Sequence, residues 1–169
     1  MLAILACLFG NAASRVCVFD VGGTLQHMWA DHDICTSTGP RNAIASCLFR
    51  NYTVAINTFE LAKDAEYNKQ KLESGVGLPA AVANDPSLWK TQADPNQTRS
   101  KVLNMDAISQ YTGVPKQCII LFDDELINIQ AVAAAGYLTQ KAWTAANATE
   151  CHILSEEEVP RTRHTLSTL

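Results

Sequence analysis

A short apolar segment near the start of the chain ends in residues that could do chemistry. The segment Val16–Phe19 runs into Asp20, and Gly22, Gly23 and Thr24 follow within four residues. Glycines have no Cβ, so backbone N–H groups beside them can come close to an anion, and Gly23 and Thr24 are candidate phosphate-binding residues. A carboxylate in the position of Asp20 suits a nucleophile, a metal ligand or a helix N-cap. This segment alone leaves those alternatives open.

Two further apolar segments also end in polar side chains. Segment 52–56 is followed by Asn57 and Thr58, and segment 117–122 is followed by Asp123 and Asp124. If these segments are neighbouring parallel strands, their carboxyl ends meet at one edge of the sheet. Three carboxylates brought together there would be driven towards protonation unless a cation lies among them. Mg²⁺, which takes carboxylate, water and phosphate oxygens as ligands, fits this set.

Each of these residues also has a structural interpretation. Asp123 and Asp124 precede a helical segment, where carboxylates stabilise the positive end of the helix dipole. Thr58 could cap the helix expected after it, and Lys101, taken by itself, is typical of a surface lysine at a helix start. The sequence DVGGT is also similar to the phosphate loop of sugar kinases with an actin-like fold, although those chains are much longer.

The elements that would position these side chains alternate between strand and helix. The predicted strands lie at 16–19, 52–56, 87–91, 117–122 and 137–143. The predicted helices lie at 40–49, 60–74, 100–113 and 127–136. The expected packing positions of the third helix are Val102, Leu103, Ile108 and Tyr111. This alternation predicts an α/β fold, a three-layer α/β/α sandwich with a mostly parallel central sheet.

Length and charge limit the classes of protein. A chain of 169 residues fits one domain, which we expect at 15–150, with an apolar extension or signal segment at 1–14 and a tail at 151–169. The net charge is -4 and no cluster of Lys or Arg is present, so a nucleic-acid partner is not expected. No segment has the length and hydropathy of a stable membrane span.

The six cysteines show no CxxC motif and no regular spacing. We therefore expect them to be reduced and, where they lie in apolar runs, to behave as small hydrophobic residues. The apolar segment at the N-terminus is short and has no basic region before it, which favours a cytoplasmic protein over one with a signal peptide. Secretion is the alternative, and only then would the three N-glycosylation sequons that begin at Asn51, Asn96 and Asn147 matter.

Two blocks of the sequence resemble a known superfamily. FDVGGTL is similar to the nucleophile loop, and ILFDDELINIQAVAAAG to the acidic metal loop, of the haloacid dehalogenase-like (HAD) hydrolases. The block SKVLNMDAISQYTGVPKQCIILFDDELINIQAVAAAGY resembles most closely the eukaryotic magnesium-dependent phosphatase family, and the resemblance covers about residues 15–140. It implies a Rossmann-type fold and Mg²⁺-dependent phosphoryl transfer.

The resemblance also implies roles for individual residues. Asp20 would attack phosphorus and become an aspartyl phosphate, while Lys101 would offset negative charge and Thr58 would hydrogen-bond a phosphoryl oxygen. Asn128 would orient the metal loop. The residues expected to hold Mg²⁺ are Asp20, Gly22 (through its carbonyl), Asp123 and Asp124. The residues expected to contact the phosphorylated substrate are Gly23, Thr24, Asn57, Thr58 and Lys101.

One position departs from the family pattern. The resemblance places a second aspartate, the general acid and base, two residues after the nucleophile, and this chain has Gly22 there. General acid–base catalysis contributes about 10²–10⁴-fold, so esters with poor leaving groups should suffer more than acyl or aryl phosphates. A substitute acid could come from His27, Asp31, His32 or Asp33. The alternative is a weak or inactive module that binds phosphate or a partner.

The spacing of the motifs indicates how open the site is to its substrate. The segments between Asp20, Thr58 and Lys101 are too short for the cap domain that many HAD relatives carry. We therefore expect a capless, open site that admits a phosphorylated small molecule or a phosphoprotein.

Overall fold

The computed structural model describes residues 15–25, 38–92, 100–144 and 151–152. The first half of the chain forms β1 (Val16–Phe19), α1 (Thr38–Phe49), β2 (Thr53–Leu61), α2 (Ala62–Val76), α3 (Ala80–Ala83) and β3 (Trp89–Gln92). The second half forms α4 (Lys101–Thr112), a 3₁₀ turn (Lys116–Cys118), β4 (Ile119–Asp123), α5 (Leu126–Ala134), β5 (Leu138–Lys141), β6 (Trp143–Thr144) and β7 (Cys151–His152). Strands and helices alternate as predicted.

The central sheet has five parallel strands in the order β3-β2-β1-β4-β5. The strand β1 lies in the middle, with Val16 opposite Thr53 of β2 on one side and Ile119 of β4 on the other. The strands β6 and β7 form a separate antiparallel pair, in which Cys151 and His152 begin the segment expected to be a tail. The central position of β1 places the residue after it, Asp20, between two neighbouring strands.

The helices cover both faces of the sheet. On one face, Ile44 of α1 and Leu72 of α2 pack with Phe19 and Ile56. On the other face, Met105 and Ile108 of α4 and Val132 of α5 pack with strand residues that alternate with the first set. The predicted three-layer α/β/α sandwich is therefore confirmed. Within the described residues, the connections between the site segments belong to this sandwich and form no separate cap domain.

Some local predictions were wrong. The second strand extends to Leu61 with an irregular register beyond Asn57, so Asn57 and Thr58 lie within β2 rather than after it. Two of the expected packing residues of α4, Leu103 and Tyr111, are 66% and 56% exposed. The face of α4 that meets the sheet is instead formed by Lys101, Met105 and Ile108. The prediction failed because Lys101, a charged residue, occupies a buried position on this helix.

The expectation of reduced cysteines was also wrong for the described residues. Cys17 of β1 and Cys47 of α1 form a disulfide, with their Cα atoms 6.5 Å apart. Cys118 is also disulfide-bonded, and no described cysteine is free. The pairing was not visible in the sequence because packing of α1 on the sheet, rather than a spacing motif, brings positions 30 residues apart within bonding distance.

None of the helices in the described part of the chain has the length and apolar character needed to cross a bilayer.

Candidate active site

The candidate site is built where β1 and β4 end side by side. Phe19 and Phe122 are in register on these strands, and their rings stack with centroids 4.8 Å apart. The backbone N–H of Asp20 donates to the Phe122 carbonyl at 2.9 Å. The next residues along the two strands, Asp20 and Asp123, are therefore held next to each other at the carboxyl edge of the sheet.

Three carboxylates converge at this edge. One ligand oxygen each from Asp20, Asp123 and Asp124 lies within 4.8 Å of the other two. Asp20 and Asp123 are 6% and 0% exposed, and Asp124 is half-buried. The sequence separates these residues by about a hundred positions, and the parallel pairing of β1 with β4 brings them together.

Gly23 provides the space for the Asp124 carboxylate. A Cβ added at Gly23 would lie 2.5 Å from the Asp124 Cγ and closer still to its Oδ2. Gly23 also has a φ of +76°, in the left-handed region that side chains other than glycine rarely adopt. Two independent constraints, backbone conformation and the neighbouring carboxylate, thus require glycine at this position.

Lys101 is the buried cation of the site. The Ser100 hydroxyl accepts a hydrogen bond from the Leu103 N–H and caps α4, which places Lys101 in its first turn with only 2% of its surface exposed. Its Nζ donates to the Asp20 Oδ1 and to the Asn57 carbonyl. The same Nζ lies 3.4 Å from the Asp123 Oδ2 and 4.7 Å from the centre of the Phe59 ring.

The three carboxylates of the cluster outnumber its one ammonium group. Burial raises the pKa of Asp20 to about 7, against the opposing attraction of Lys101 and with the help of the Asp123 charge. Burial, followed by the Asp123 charge, also raises the pKa of Asp124. These shifts arise because one ammonium faces three carboxylates in a volume from which water is largely excluded.

Asn57 connects β2 to the start of α4. Its Nδ2 donates to the Lys101 carbonyl at 2.9 Å, and its Oδ1 accepts from the Asn104 Nδ2 at 2.9 Å. Because both ends of the Asn57 carboxamide are engaged within the protein, we interpret Asn57 as a residue that positions Lys101. Asn104 was not predicted to belong to the site, although it lies three residues after Lys101, a spacing that places both residues on one helix face.

Asn128 contacts the metal loop from the first turn of α5. Its Nδ2 donates to the Asp123 Oδ1 and Oδ2 at 3.1 and 3.3 Å, and to the Glu125 Oε2 at 3.2 Å. The Glu125 N–H donates to the Asp123 Oδ1 at 2.9 Å. These bonds fix the orientation of the Asp123 carboxylate. Glu125 was not among the residues selected from the sequence.

The remaining candidate residues differ in their burial and hydrogen bonding. Thr24 is fully buried, and its Oγ1 has no hydrogen-bond partner among the described residues. Thr58 is 1% exposed, and Gly22 is partly buried in the turn between Asp20 and Gly23. The possible substitute acids His27, Asp31, His32 and Asp33 lie outside the described residues.

The donor set fits a hard divalent cation. All three acidic residues offer oxygen ligands, which Mg²⁺ prefers, and two positive charges would offset the excess of carboxylate over ammonium. The side chains that would hold the ion are Asp20, Asp123 and Asp124, with the Gly22 carbonyl as the fourth protein ligand expected from the sequence. When bound, Mg²⁺ would neutralise carboxylate and phosphate charge and so let the two approach each other.

No protein family profile matches the sequence, and no curated protein matches it. Solved structures do match. A HAD hydrolase of family IA, variant 3, from Entamoeba histolytica has a TM-score of 0.61 at 13% identity, with 85% of this chain and 96% of that chain covered. The N-terminal part of a Bacteroides fragilis protein, containing a phosphatase domain and complexed with Mg, has a TM-score of 0.61 at 11% identity. That match covers 85% of this chain and 39% of the other.

A third match has no described function. It is an uncharacterized protein from Corynebacterium glutamicum, with a TM-score of 0.55 at 16% identity, and the match covers 78% of this chain and 87% of that one. Together these similarities confirm the HAD-like fold that the sequence resemblance implied. At such low identities these similarities do not show that the chain belongs to the eukaryotic magnesium-dependent phosphatase family.

Proposed function

We propose that this protein is a Mg²⁺-dependent phosphatase that hydrolyses phosphomonoesters or acyl phosphates through an aspartyl phosphate on Asp20. The observation that carries the proposal is the convergence of Asp20, Asp123 and Asp124 within 4.8 Å of one another, with the buried Lys101 ammonium bound to Asp20. A cluster of this composition takes up protons or binds a cation, and it attracts a phosphate once a cation is present. The HAD-like fold supports the proposal. The Bacteroides fragilis protein, whose fold is similar, contains a phosphatase domain that was crystallised with Mg.

The chemistry assigned to this chain's residues has two halves. An oxygen of the Asp20 carboxylate attacks phosphorus, a new O–P bond forms, and the bond from phosphorus to the leaving oxygen breaks with its electron pair on that oxygen. Lys101 holds the other Asp20 oxygen, Oδ1, and offsets charge on the phosphoryl group. Water then attacks phosphorus, and the bond from phosphorus to the Asp20 oxygen breaks with its electron pair on that oxygen. Inorganic phosphate leaves, the proton of the water passes to solvent, and the Asp20 carboxylate is restored.

Gly22 limits which substrates this site can process. No carboxylate at this position protonates the leaving oxygen, so departure depends on the stability of the leaving anion itself. Acyl and aryl phosphates, whose leaving groups are stable as anions, are therefore the preferred substrates. In the cell the substrate is a phosphorylated small molecule or a phosphoprotein, because the described parts of the connections between the site segments form no cap domain that would exclude either.

Hydrolysis of p-nitrophenyl phosphate tests the proposal directly. We expect activity with Mg²⁺, loss of activity with EDTA and its return with added Mg²⁺. Asp20→Asn should abolish turnover, whereas Asp85→Asn should not, because Asp85 is a surface carboxylate bonded to Ser87 and Tyr111. Turnover that survives Asp20→Asn at the level of the Asp85→Asn control would reject the mechanism.

Because Gly22 provides no general acid, a second function is also supported: the protein would bind phosphate or a phosphorylated partner without turnover. It predicts that beryllofluoride, which mimics a phosphoryl group on aspartate, binds in the presence of Mg²⁺ and requires Asp20. Under this alternative no substrate in a panel of acyl, aryl and alkyl phosphates is hydrolysed above the Asp20→Asn background.

A further inference from the structure

The turn between α1 and β2 carries an N-glycosylation sequon in a conformation suited to it. Asn51, Tyr52 and Thr53 form the Asn-X-Thr pattern. Asn51 is exposed and has a φ of +57°, in the left-handed region where asparagine is tolerated. The Asn51 N–H donates to the Leu48 carbonyl and the Tyr52 N–H to the Cys47 carbonyl, each at 2.9 Å, so this turn ends α1 in a Schellman arrangement.

The asparagine side chain is available for modification. Within the described part of the chain, no residue hydrogen-bonds to the Asn51 carboxamide. The backbone of the sequon is fixed on the other side, where the Thr53 N–H donates to the Arg15 carbonyl at 3.0 Å and Arg15 Nη1 donates to the Tyr52 hydroxyl at 3.1 Å. A rigid turn therefore presents a free carboxamide to solvent.

An exposed aromatic residue precedes the sequon by two positions. Phe49, two residues before Asn51, is 92% exposed, more than any other large hydrophobic residue among those described. Residues two apart are separated by at most about 7 Å between Cα atoms, so a sugar on Asn51 is within reach of the Phe49 side chain. The C–H face of a pyranose ring attached at Asn51 could cover the Phe49 ring and remove apolar surface from water.

The cysteines point to the compartment in which such a modification occurs. Cys17, Cys47 and Cys118 are all disulfide-bonded, and stable disulfides form in secretory and extracellular compartments rather than in a reducing cytosol. The disulfides therefore favour the secreted alternative over the cytoplasmic location expected from the sequence. Cys47 itself accepts the Tyr52 N–H through its carbonyl, so the disulfide and the sequon belong to the same local structure.

We propose that Asn51 is an N-glycosylation site, and that the first sugar of the glycan packs on Phe49. The co-reactant is a lipid-linked oligosaccharide. A bond forms from the Asn51 Nδ2 to the anomeric carbon of the first sugar, the bond from that carbon to the lipid pyrophosphate breaks, and the pyrophosphate leaves with the electron pair while Nδ2 loses a proton to a base. The turn lies at the amino edge of the sheet, because Thr53 pairs with Val16 at the start of β1. A glycan there leaves the candidate active site, at the carboxyl edge, uncovered.

Secretion of the full chain from yeast or insect cells, behind a cleavable signal peptide, tests the modification. Thr98→Ala and Thr149→Ala remove the other two sequons, so that Asn51 alone can accept a glycan. We expect intact-mass and site-mapping mass spectrometry to find a glycan on Asn51 that peptide N-glycosidase F removes. Thr53→Val should abolish it and Thr53→Ser should retain it. Asn51 found unmodified in secreted protein that has the Cys17–Cys47 disulfide would overturn the proposal, and so would secreted protein in which that disulfide never forms.

A second measurement tests the contact with Phe49. We expect enzymatic removal of the glycan, which also converts Asn51 to Asp, to lower the Tm by about 2–4 °C when Phe49 is present. The loss should be markedly smaller in Phe49→Ala, in which the same conversion of Asn51 occurs. The Phe49→Ala protein should fold, because the ring is almost fully exposed. Asn51→Gly, which keeps the left-handed turn, provides the unglycosylated reference. An equal loss of Tm with and without the Phe49 ring would exclude the packing of the sugar on it.

Discussion

Gly23 and Asp124 are in such close contact that the glycine leaves no room for any side chain beside the carboxylate. A Cβ at Gly23 would lie 2.5 Å from the Asp124 Cγ, so even alanine must displace a proposed metal ligand. This relationship gives the two-glycine motif of the first loop a second purpose. The loop leaves space for the carboxylate of Asp124, which follows β4, in addition to the approach of backbone N–H groups to an anion that the sequence predicts.

Gly23→Ala is therefore expected to weaken Mg²⁺ binding by at least about tenfold, as displacement of a metal's supporting structure typically does. The matched control is Gly77→Ala, because Gly77 has nearly the same φ, +75°, and nothing within 4 Å of an added Cβ. Both variants should lose about 1–2 kcal/mol of stability from the left-handed backbone, and only Gly23→Ala should lose Mg²⁺ affinity in a calorimetric titration. Equal Mg²⁺ affinity in the two variants would contradict the steric argument.

The raised pKa of Asp20, about 7 without metal, predicts that Mg²⁺ competes with a proton. Apparent Mg²⁺ affinity should increase by about tenfold per pH unit below pH 7 and level off above it. The folded pKa lies above the unfolded value, so the contribution of Asp20 to the stability of metal-free protein is present at low pH and is lost as the pH rises through about 4 to 7. Added Mg²⁺ should restore the stability at high pH.

Urea denaturation with and without Mg²⁺ across this pH range measures both effects. Asp20→Asn removes the titrating group and should flatten the part of the pH dependence that Asp20 contributes, leaving the smaller part from Asp124. The contrary result would be a free energy of unfolding of the metal-free protein that rises steadily from pH 4 to 7, equally in the unsubstituted protein and in Asp20→Asn. That result would show that burial of Asp20 does not dominate the pH dependence of stability.

The Cys17–Cys47 disulfide predicts a measurable loss of stability on removal. It closes a loop with a sequence separation of 30 residues, for which the loss of chain entropy in the unfolded state corresponds to about 3–4 kcal/mol. Cys17→Ala with Cys47→Ala should therefore lower the free energy of unfolding by about that amount in urea titrations. The Cys118 disulfide stays intact in this variant. If the oxidised wild type and the double variant have equal free energies of unfolding, the disulfide does not stabilise the native fold.

The general architecture followed from the sequence because it depends on local patterns. Buried parallel strands appear as short apolar runs. β4 ends in Asp123 and β1 is followed directly by Asp20, and these acidic residues predicted the edge of the sheet where the site lies. The proximity of Asp20 to Asp123 then follows from the pairing of adjacent strands. The composition of each segment predicts the strand and its polar end, whereas the pairing of β1 with β4 is a property of the fold.

Features that depend on distant packing were not predicted. The Cys17–Cys47 bond requires α1 to lie on a particular position of β1, and no spacing rule encodes that. Leu103 has the right periodicity for a core residue yet is exposed, because Lys101 and Met105 define the buried face of α4. Asn104 could have been selected from its spacing to Lys101, but its partner Asn57 is revealed only when β2 lies beside α4.

Gly22→Asp tests whether the absence of a general acid limits the proposed reaction. The new carboxylate stands two residues beyond the nucleophile and should raise turnover on alkyl phosphates by up to about 10²–10⁴-fold. Acetyl phosphate, whose leaving group departs without a proton, should change little. Gly22→Ala is the matched control, because it adds a Cβ without a carboxyl group, and kcat on both substrates is the measurement. Equal acceleration of the two substrates, or the same result from Gly22→Ala, would mean that Gly22 affects the site through the backbone rather than through the absent proton donor.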